Sequence, residues 1–163
     1  MTDDWDTRIA RVWADDALDD LERVRAIDEI AAERPAHDPR ALFERAGARD
    51  SAGIEEEAEP LYRAALDGGL DGELRTQAVI QLASTVRNLG KVDEALALLR
   101  TEYEHGHAEP LHDGVAAFYA LALVSSGDAV RGASIALEAL APHLPRYTRS
   151  VAGYARELVD PEA

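Results

Sequence analysis

Uncharged polar side chains recur at helical spacing near the middle of the chain. They stand at i, i+4, i+7 and i+11 and are Gln77, Gln81, Ser84 and Asn88, with Thr85 and Arg87 beside them. On a helix these positions form one polar stripe. A stripe of this kind needs hydrogen-bond partners if it is enclosed. A bound ligand could supply them, with Arg87 as the charged anchor, or the adjacent helices and local backbone could.

Residues before and after this stripe could belong to the same ligand site or to the same structural network. Asp50 and Ser51 come near the end of the preceding helical segment and are expected to share the polar network. Phe118, Leu121 and Ser125 lie on the following segment. They would form either an apolar wall beside the stripe or ordinary core, and core is the preferred interpretation for Phe118.

A group of histidines is a candidate for a metal site. His105, His107 and His112 lie close together in the sequence, with Glu104 and Glu109 alongside. Imidazoles and carboxylates bind zinc or nickel, but this spacing matches no established ligand motif. Histidine near a helix C-terminus is also ordinary dipole chemistry. We therefore predict no metal and no cofactor.

No residue pattern predicts catalysis. The carboxylate pairs Asp15-Asp16 and Asp19-Asp20 lack the glycine and alternating oxygen ligands of a calcium loop. They also adjoin along one segment, whereas a catalytic pair faces across a cleft. The chain contains no nucleophile elbow, phosphate-binding loop or zinc-protease motif. We expect a protein that is not an enzyme.

Composition restricts the classes of partner. The 163 residues carry a net charge of −15 and no cysteine, and residues 1–33 alone hold 11 acidic side chains against 4 arginines. Nucleic-acid binding is disfavoured, because its affinity comes mainly from cations that neutralise phosphates. No apolar run is long enough to span a bilayer. The N-terminus is acidic where a signal peptide is basic, so we expect a cytoplasmic protein.

Helical signals fill the chain, and strand signals are absent. Before Pro35 the sequence predicts either two helices with a break near residues 14–17, which is the preferred interpretation, or one long bent helix. Trp5, Ile9, Val12 and Trp13 share one apolar face at its start. Proline, glycine and cap residues place seven more. Their predicted bounds are about 39–51, 55–67, 72–89, 92–104, 110–126, 128–141 and 145–159. The sequence therefore predicts an all-α fold of about nine helices.

Three glycines mark an internal repeat. Gly53, Gly90 and Gly127 are separated by 37 residues each time, and small residues recur around each one. A fixed period of this size is typical of stacked helical hairpins. One hairpin cannot bury both of its faces alone, so it requires neighbours.

The middle unit carries a family resemblance. Its segment Gln81-Leu82-Ala83-Ser84-Thr85-Val86-Arg87-Asn88-Leu89-Gly90-Lys91-Val92-Asp93-Glu94-Ala95 resembles a tetratricopeptide repeat, and the whole is similar to a family of small bacterial proteins built from that repeat. There are departures. The period is 37 rather than 34, Arg45 and Arg49 stand at apolar positions, and Gly132 replaces the usual alanine of the second helix.

The resemblance implies a right-handed α-solenoid of antiparallel hairpins whose first helices line a concave groove. We expect a cap at 1–37, repeats at about 38–70, 71–108 and 109–142, and a C-terminal capping helix and tail at 143–163. Members of the family hold extended peptides on this face. The implied function is binding of a partner protein or peptide. The expected contacts are Asp50, Gln77, Gln81, Ser84, Thr85, Arg87 and Asn88.

An alternative role is structural. Trp5 and Trp13 would then anchor a homodimer through the terminal helices. The preferred interpretation of both tryptophans is that they cover the N-terminal end of the repeat array.

Overall fold

The computed structural model describes residues 4–105, 111–160 and 162. Within them the chain forms nine α-helices and one 3-10 turn, and no strand. This confirms the all-α helical repeat. The helices are α1 (Trp5–Trp13), α2 (Asp20–Ala31), α3 (Pro39–Ser51), α4 (Glu55–Asp67), α5 (Gly72–Asn88), α6 (Val92–His105), α7 (His112–Ser125), α8 (Ala129–Leu140) and α9 (Thr148–Glu157), with the 3-10 turn at Ala141–His143.

Aspartates open several helices. The Asp38 side chain accepts a hydrogen bond from the Ala41 amide at 2.9 Å, and Pro39 occupies the first turn of α3. Asp19 and Glu22 form a reciprocal capping box at the start of α2. Both arrangements satisfy amides that have no partner inside the helix. The predicted start of α3 is confirmed, as is the break between α1 and α2.

The periodic glycines end three helices in the same way. Gly53 and Gly90 have φ of 70° and 82°, a left-handed conformation that favours glycine. The amide after each glycine donates to a carbonyl five residues earlier: Ile54 to Arg49 at 2.9 Å and Lys91 to Val86 at 2.8 Å. The turn at Gly127 repeats this pattern, so the 37-residue period is a repeated helix C-terminal motif.

One predicted helix start differs from the structure. The last helix was expected to begin at Pro145, but this is wrong, since α9 begins at Thr148. The physical reason is Tyr147, whose φ of 70° interrupts any helix that passes through it. The predicted start at Pro110 lies outside the described residues.

The chain divides into two compact units, Met1–Thr85 and Val86–Ala163, with the boundary inside α5. In the first unit α1 packs on α2, α2 on α3, and α3 on α4. Its core includes Ile9, Ile27, Ile30 and Ala48, against which Trp5, Val12, Trp13 and Val24 pack. The apolar face predicted for α1 therefore packs against this core, with Ile9 buried and the other three side chains partly buried.

The two arginines of α3 are neutralised by α2. Arg45 Nε lies 2.8 Å from Asp28 Oδ1, and Arg49 Nη2 lies 2.9 Å from Asp28 Oδ2. Arg49 also pairs with Glu57 of α4 at 3.0 Å. Partial burial opposes ionisation of Asp28, but the hydrogen bonds and charges of Arg49 and Arg45 outweigh it and hold its pKa below the usual value. An aspartate of the preceding helix thus compensates the charges of these two arginines.

The second unit is a run of helices in which α6 packs on α7, α7 on α8, and α8 on α9. Tyr119 is buried, its ring lies 5.5 Å from that of Tyr103, and its hydroxyl accepts a hydrogen bond from Arg100 at 3.3 Å. Phe118 is only partly buried and Leu121 is 47% exposed, so neither belongs to the fully buried core.

Gly132 of α8 lies close to the backbone of α7. A Cβ atom at this position would stand 2.8 Å from the Ala120 carbonyl oxygen and 3.1 Å from Val124 Cγ2. Real Cβ atoms do not approach backbone oxygen this closely. The glycine that departs from the repeat pattern therefore permits the helix crossing.

Candidate partner-binding site

A cavity of about 330 Å³ lies within the first unit, among side chains of four helices. Helix α3 supplies one side, α5 another, and α1 and α4 contribute one aromatic residue each. The residues that line it are Trp13, Arg40, Phe43, Glu44, Gly47, Asp50, Ser51, Tyr62, Leu74, Gln77 and Gln81.

Asp50 is the carboxylate of this cavity that has only hydroxyl partners. Thr85 Oγ1 lies 2.9 Å from Asp50 Oδ1, and the Tyr62 hydroxyl donates to Asp50 Oδ2 at 3.3 Å. Burial raises the pKa of Asp50; the two hydrogen bonds offset this in part, and the charge of Glu55 adds to it. Among the described residues, no cationic side chain pairs with Asp50. Burial of Tyr62, together with the charge and the hydrogen bond of the neighbouring Asp50, raises the pKa of Tyr62.

Glu44 is the second carboxylate, and it is fully engaged. It is buried, its Oε2 accepts from Trp13 Nε1 at 2.7 Å, and its Oε1 accepts from Arg40 Nε at 3.1 Å. Arg40 also lies 3.5 Å from Asp6. The guanidinium that lines the cavity is thus neutralised by two carboxylates.

Gln81 contributes an unused acceptor. Its Oε1 atom is buried, yet it has no hydrogen-bond partner among the described residues. Such an atom costs free energy unless a ligand or water bonds to it. Gln77 lines the same cavity one turn earlier on α5.

Gly47 lines the cavity on the α3 side. A Cβ atom there would meet Trp13 Cζ2 at 3.4 Å and the Tyr62 hydroxyl at 3.8 Å, which is ordinary contact. Glycine inside a helix costs about 1 kcal/mol relative to alanine. Sterics alone therefore do not require this glycine.

The structure separates the residues predicted to form the site. Asp50, Gln77 and Gln81 line the cavity. Thr85 is completely buried and acts behind the cavity wall, where its hydroxyl also lies 2.9 Å from the Gln81 carbonyl oxygen. Ser84 is partly buried and lies outside the cavity lining.

The last two predicted residues belong to the second unit. Arg87 Nη2 donates to Asn88 Oδ1 at 3.3 Å, so these side chains contact each other at the end of α5.

Sequence reasoning missed most of the cavity wall. Trp13 was predicted to lie on the apolar face of the first helix and to act as a cap or a dimer anchor. Phe43, Glu44 and Tyr62, which also line the cavity, were not among the predicted site residues. One usable signal was an acidic residue on the inward face of α3, since a buried carboxylate requires donors. Nothing local indicated that Trp13, 31 positions away, supplies one.

The tryptophans are both hydrogen-bonded inside the first unit. Trp5 Nε1 donates to the Ile30 carbonyl at 2.9 Å, and the Arg34 guanidinium lies 4.0 Å from the centre of the Trp5 ring. Trp13 Nε1 donates to Glu44 Oε2 at 2.7 Å.

The part of the chain that the structure describes holds no group of three potential metal ligands. His105 bonds to the Thr101 carbonyl, and His112 stacks on Tyr103 at 5.2 Å. His107 and Glu109 lie outside the described residues. Nor does any described helix combine the length and apolar character needed to cross a bilayer.

Comparison with protein families matches residues 39–158, most of the chain, to the model described as tetratrico peptide repeat. Comparisons with curated proteins and with solved structures give no significant match. The matched segment begins with α3 and ends after α9, so it includes every helix that follows a periodic glycine. The chain therefore belongs to the tetratricopeptide repeat family, whose members generally serve as protein-interaction modules.

Proposed function

We propose that this chain is a non-enzymatic interaction module that binds an extended segment of a partner protein, with the cavity of the first unit as its principal contact. The observation that carries the proposal is the cavity itself, about 330 Å³ and lined by Asp50, Gln77 and Gln81. Ligand pockets typically measure about 300–1,000 Å³, so this one suits one or two side chains.

Unused hydrogen-bonding capacity supports the proposal. Gln81 Oε1 is buried without a partner, and the Asp50 carboxylate has only hydroxyl donors. A peptide that bonds to these atoms would offset the cost of burying them. Gln77 and Ser84 would contact the peptide along α5, and Thr85 would position Asp50.

Arg87 and Asn88 stay a sequence-based prediction of partner contact. They are tested by their own double substitution. The division into a cap at 1–37, three repeats over 38–142 and a C-terminal cap at 143–163 is likewise a proposal.

The test is capture of partners from native lysate by the full chain, with Gln77→Ala/Gln81→Ala and Arg87→Ala/Asn88→Ala as variants. We expect the first double variant to lose the captured protein while its helical circular dichroism and Tm stay close to wild type. Equal capture by wild type and this variant would exclude the cavity as the site. Unfolding of the variant would show that the two amides are structural.

The acidic composition favours a protein partner over nucleic acid or an anionic membrane surface, and we propose a cytoplasmic setting. The chain carries a net charge of −15. Retention on DNA-cellulose or anionic vesicles at physiological salt would contradict the preference for a protein partner.

Self-association through the terminal helices is the alternative function. Trp5 and Trp13 give it little support, because both indole N–H groups bond within the first unit. The observation that favours it is on α9 and its end, where Tyr154, Leu158 and Val159 are exposed. Light scattering across protein concentration tests it, and a constant monomer mass would exclude it.

A further inference from the structure

We infer that the cavity of the first unit selects a cationic side chain, lysine or arginine, from the bound segment. This inference rests on the proposed function and adds the chemistry that the partner must present. It follows from the charges, the unused acceptors and the aromatic walls of the cavity.

The charges of the cavity leave one carboxylate without a cation. Glu44 and Asp50 both line it, and Arg40 is the one cation among the described residues of its lining. Arg40 bonds to Glu44 at 3.1 Å and lies 3.5 Å from Asp6, so its charge is already matched. Asp50 receives only the hydroxyls of Thr85 and Tyr62. A carboxylate in this setting is stabilised most by an ammonium or guanidinium group.

A second acceptor belongs to Gln81, which lines the same cavity. Gln81 Oε1 is buried and has no partner among the residues described. A lysine ammonium has three N–H donors and a guanidinium has five, so either has enough donors for Asp50 and, once the Gln81 amide rotates toward the cavity, for this carbonyl.

The walls suit the stem of such a side chain. The rings of Phe43 and Tyr62 lie 6.2 Å apart with their planes inclined by 55°, and Trp13 lines the same space. Methylene groups pack favourably against aromatic surface while the charged end reaches its partners. Aromatic faces also attract cations.

An anionic side chain would be excluded from the cavity by the same charges. A carboxylate or phosphate group would meet Asp50 and Glu44 and would find no unmatched cation among the lining residues. The net charge of −15 further favours approach of cationic segments.

The test starts with a phage library of random nonapeptides selected on the full-length protein. We expect enriched peptides to share a lysine or arginine at one position. A synthetic peptide from that set should lose at least about tenfold in affinity when this residue is replaced by norleucine, as measured by calorimetry. Asp50→Asn should weaken the lysine peptide by a similar factor and leave the norleucine peptide unchanged.

Three outcomes would overturn the inference. The norleucine peptide could bind as tightly as its parent, which needs no protein variant and so does not depend on folding. Asp50→Asn could weaken both peptides equally. Enriched peptides could lack a cation yet lose binding to Gln77→Ala/Gln81→Ala, and the proposed site would then stand while its charge selectivity fails. Absence of any enriched peptide would reject both the proposed peptide-binding site and its charge selectivity.

Discussion

Thr85 Oγ1 lies 2.9 Å from Asp50 Oδ1 and so joins α5 to the end of α3 beside the cavity. Thr85 is 0% exposed, and Asp50 is partly buried. The threonine is one of the two hydroxyl donors that hold this carboxylate in place.

Thr85→Val should destabilise the protein, because it removes the hydroxyl that lies 2.9 Å from both the Asp50 carboxylate and the Gln81 carbonyl oxygen without changing the shape of the side chain much. We expect a loss of about 1–3 kcal/mol in the free energy of unfolding, measured with urea. Thr85→Ser keeps the hydroxyl and is the matched control. Equal losses for serine and valine would show that packing of the methyl group, rather than the hydrogen bond, is responsible.

Ionisation of Asp50 should oppose folding. Its pKa is raised in the folded protein by burial, offset in part by Thr85 and Tyr62 and increased further by the charge of Glu55. The folded state therefore binds the proton more tightly, and this contribution to stability is lost as pH rises from about 3.9 through the raised pKa. The free energy of unfolding of wild type minus that of Asp50→Asn should decrease over this window. An increase would contradict the assignment.

Asp28 should show the opposite dependence. Its pKa is lowered because hydrogen bonds and charges from Arg49 and Arg45 outweigh partial burial. The stabilisation is present above the ordinary aspartate pKa of about 3.9 and is lost as pH falls through the lowered value. The stability difference between wild type and Asp28→Asn should therefore shrink in acid. A difference that stays constant from neutral to acidic pH would show that the ion pairs contribute nothing.

Two helical glycines should respond to alanine in opposite directions. Gly132→Ala places a Cβ atom 2.8 Å from the Ala120 carbonyl oxygen, whereas nothing lies within 4 Å of the same atom at Gly153 in α9. We expect Gly132→Ala to cost about 1–3 kcal/mol by overpacking and Gly153→Ala to stabilise by up to about 1 kcal/mol. Thermal unfolding of both variants measures this. Stabilisation by Gly132→Ala would mean that α7 and α8 are not in close approach there.

Features encoded by local residues could be predicted from the sequence. Asp38 and Pro39 determine the start of α3 by hydrogen bonding and fixed φ, and Gly53 determines the turn before α4 by its left-handed backbone. The start of α9 was not predicted, because the backbone of Tyr147 is left-handed although tyrosine gives no such signal.

The cavity depends on distant pairs and could not be predicted in this way. Glu44 meets Trp13 across 31 positions, and Asp28 meets Arg49 across 21. Helical spacing shows which side chains share a face, but not which helix that face contacts. The sequence therefore predicted the cavity residues Asp50, Gln77 and Gln81 on α3 and α5. It did not predict the aromatic residues Trp13 of α1 and Tyr62 of α4.

The central claim is that the cavity of the first unit receives the partner, and obstruction of that cavity tests it most directly. Ser51 is exposed, lines the cavity and ends α3, whereas Ser125 is exposed and ends α7 at the equivalent position of the second unit. The measurement is the affinity of one selected peptide for wild type, Ser51→Trp and Ser125→Trp by calorimetry. We predict a loss of at least about tenfold for Ser51→Trp alone, equivalent to about 1.4 kcal/mol. Equal affinity for all three proteins would contradict the account.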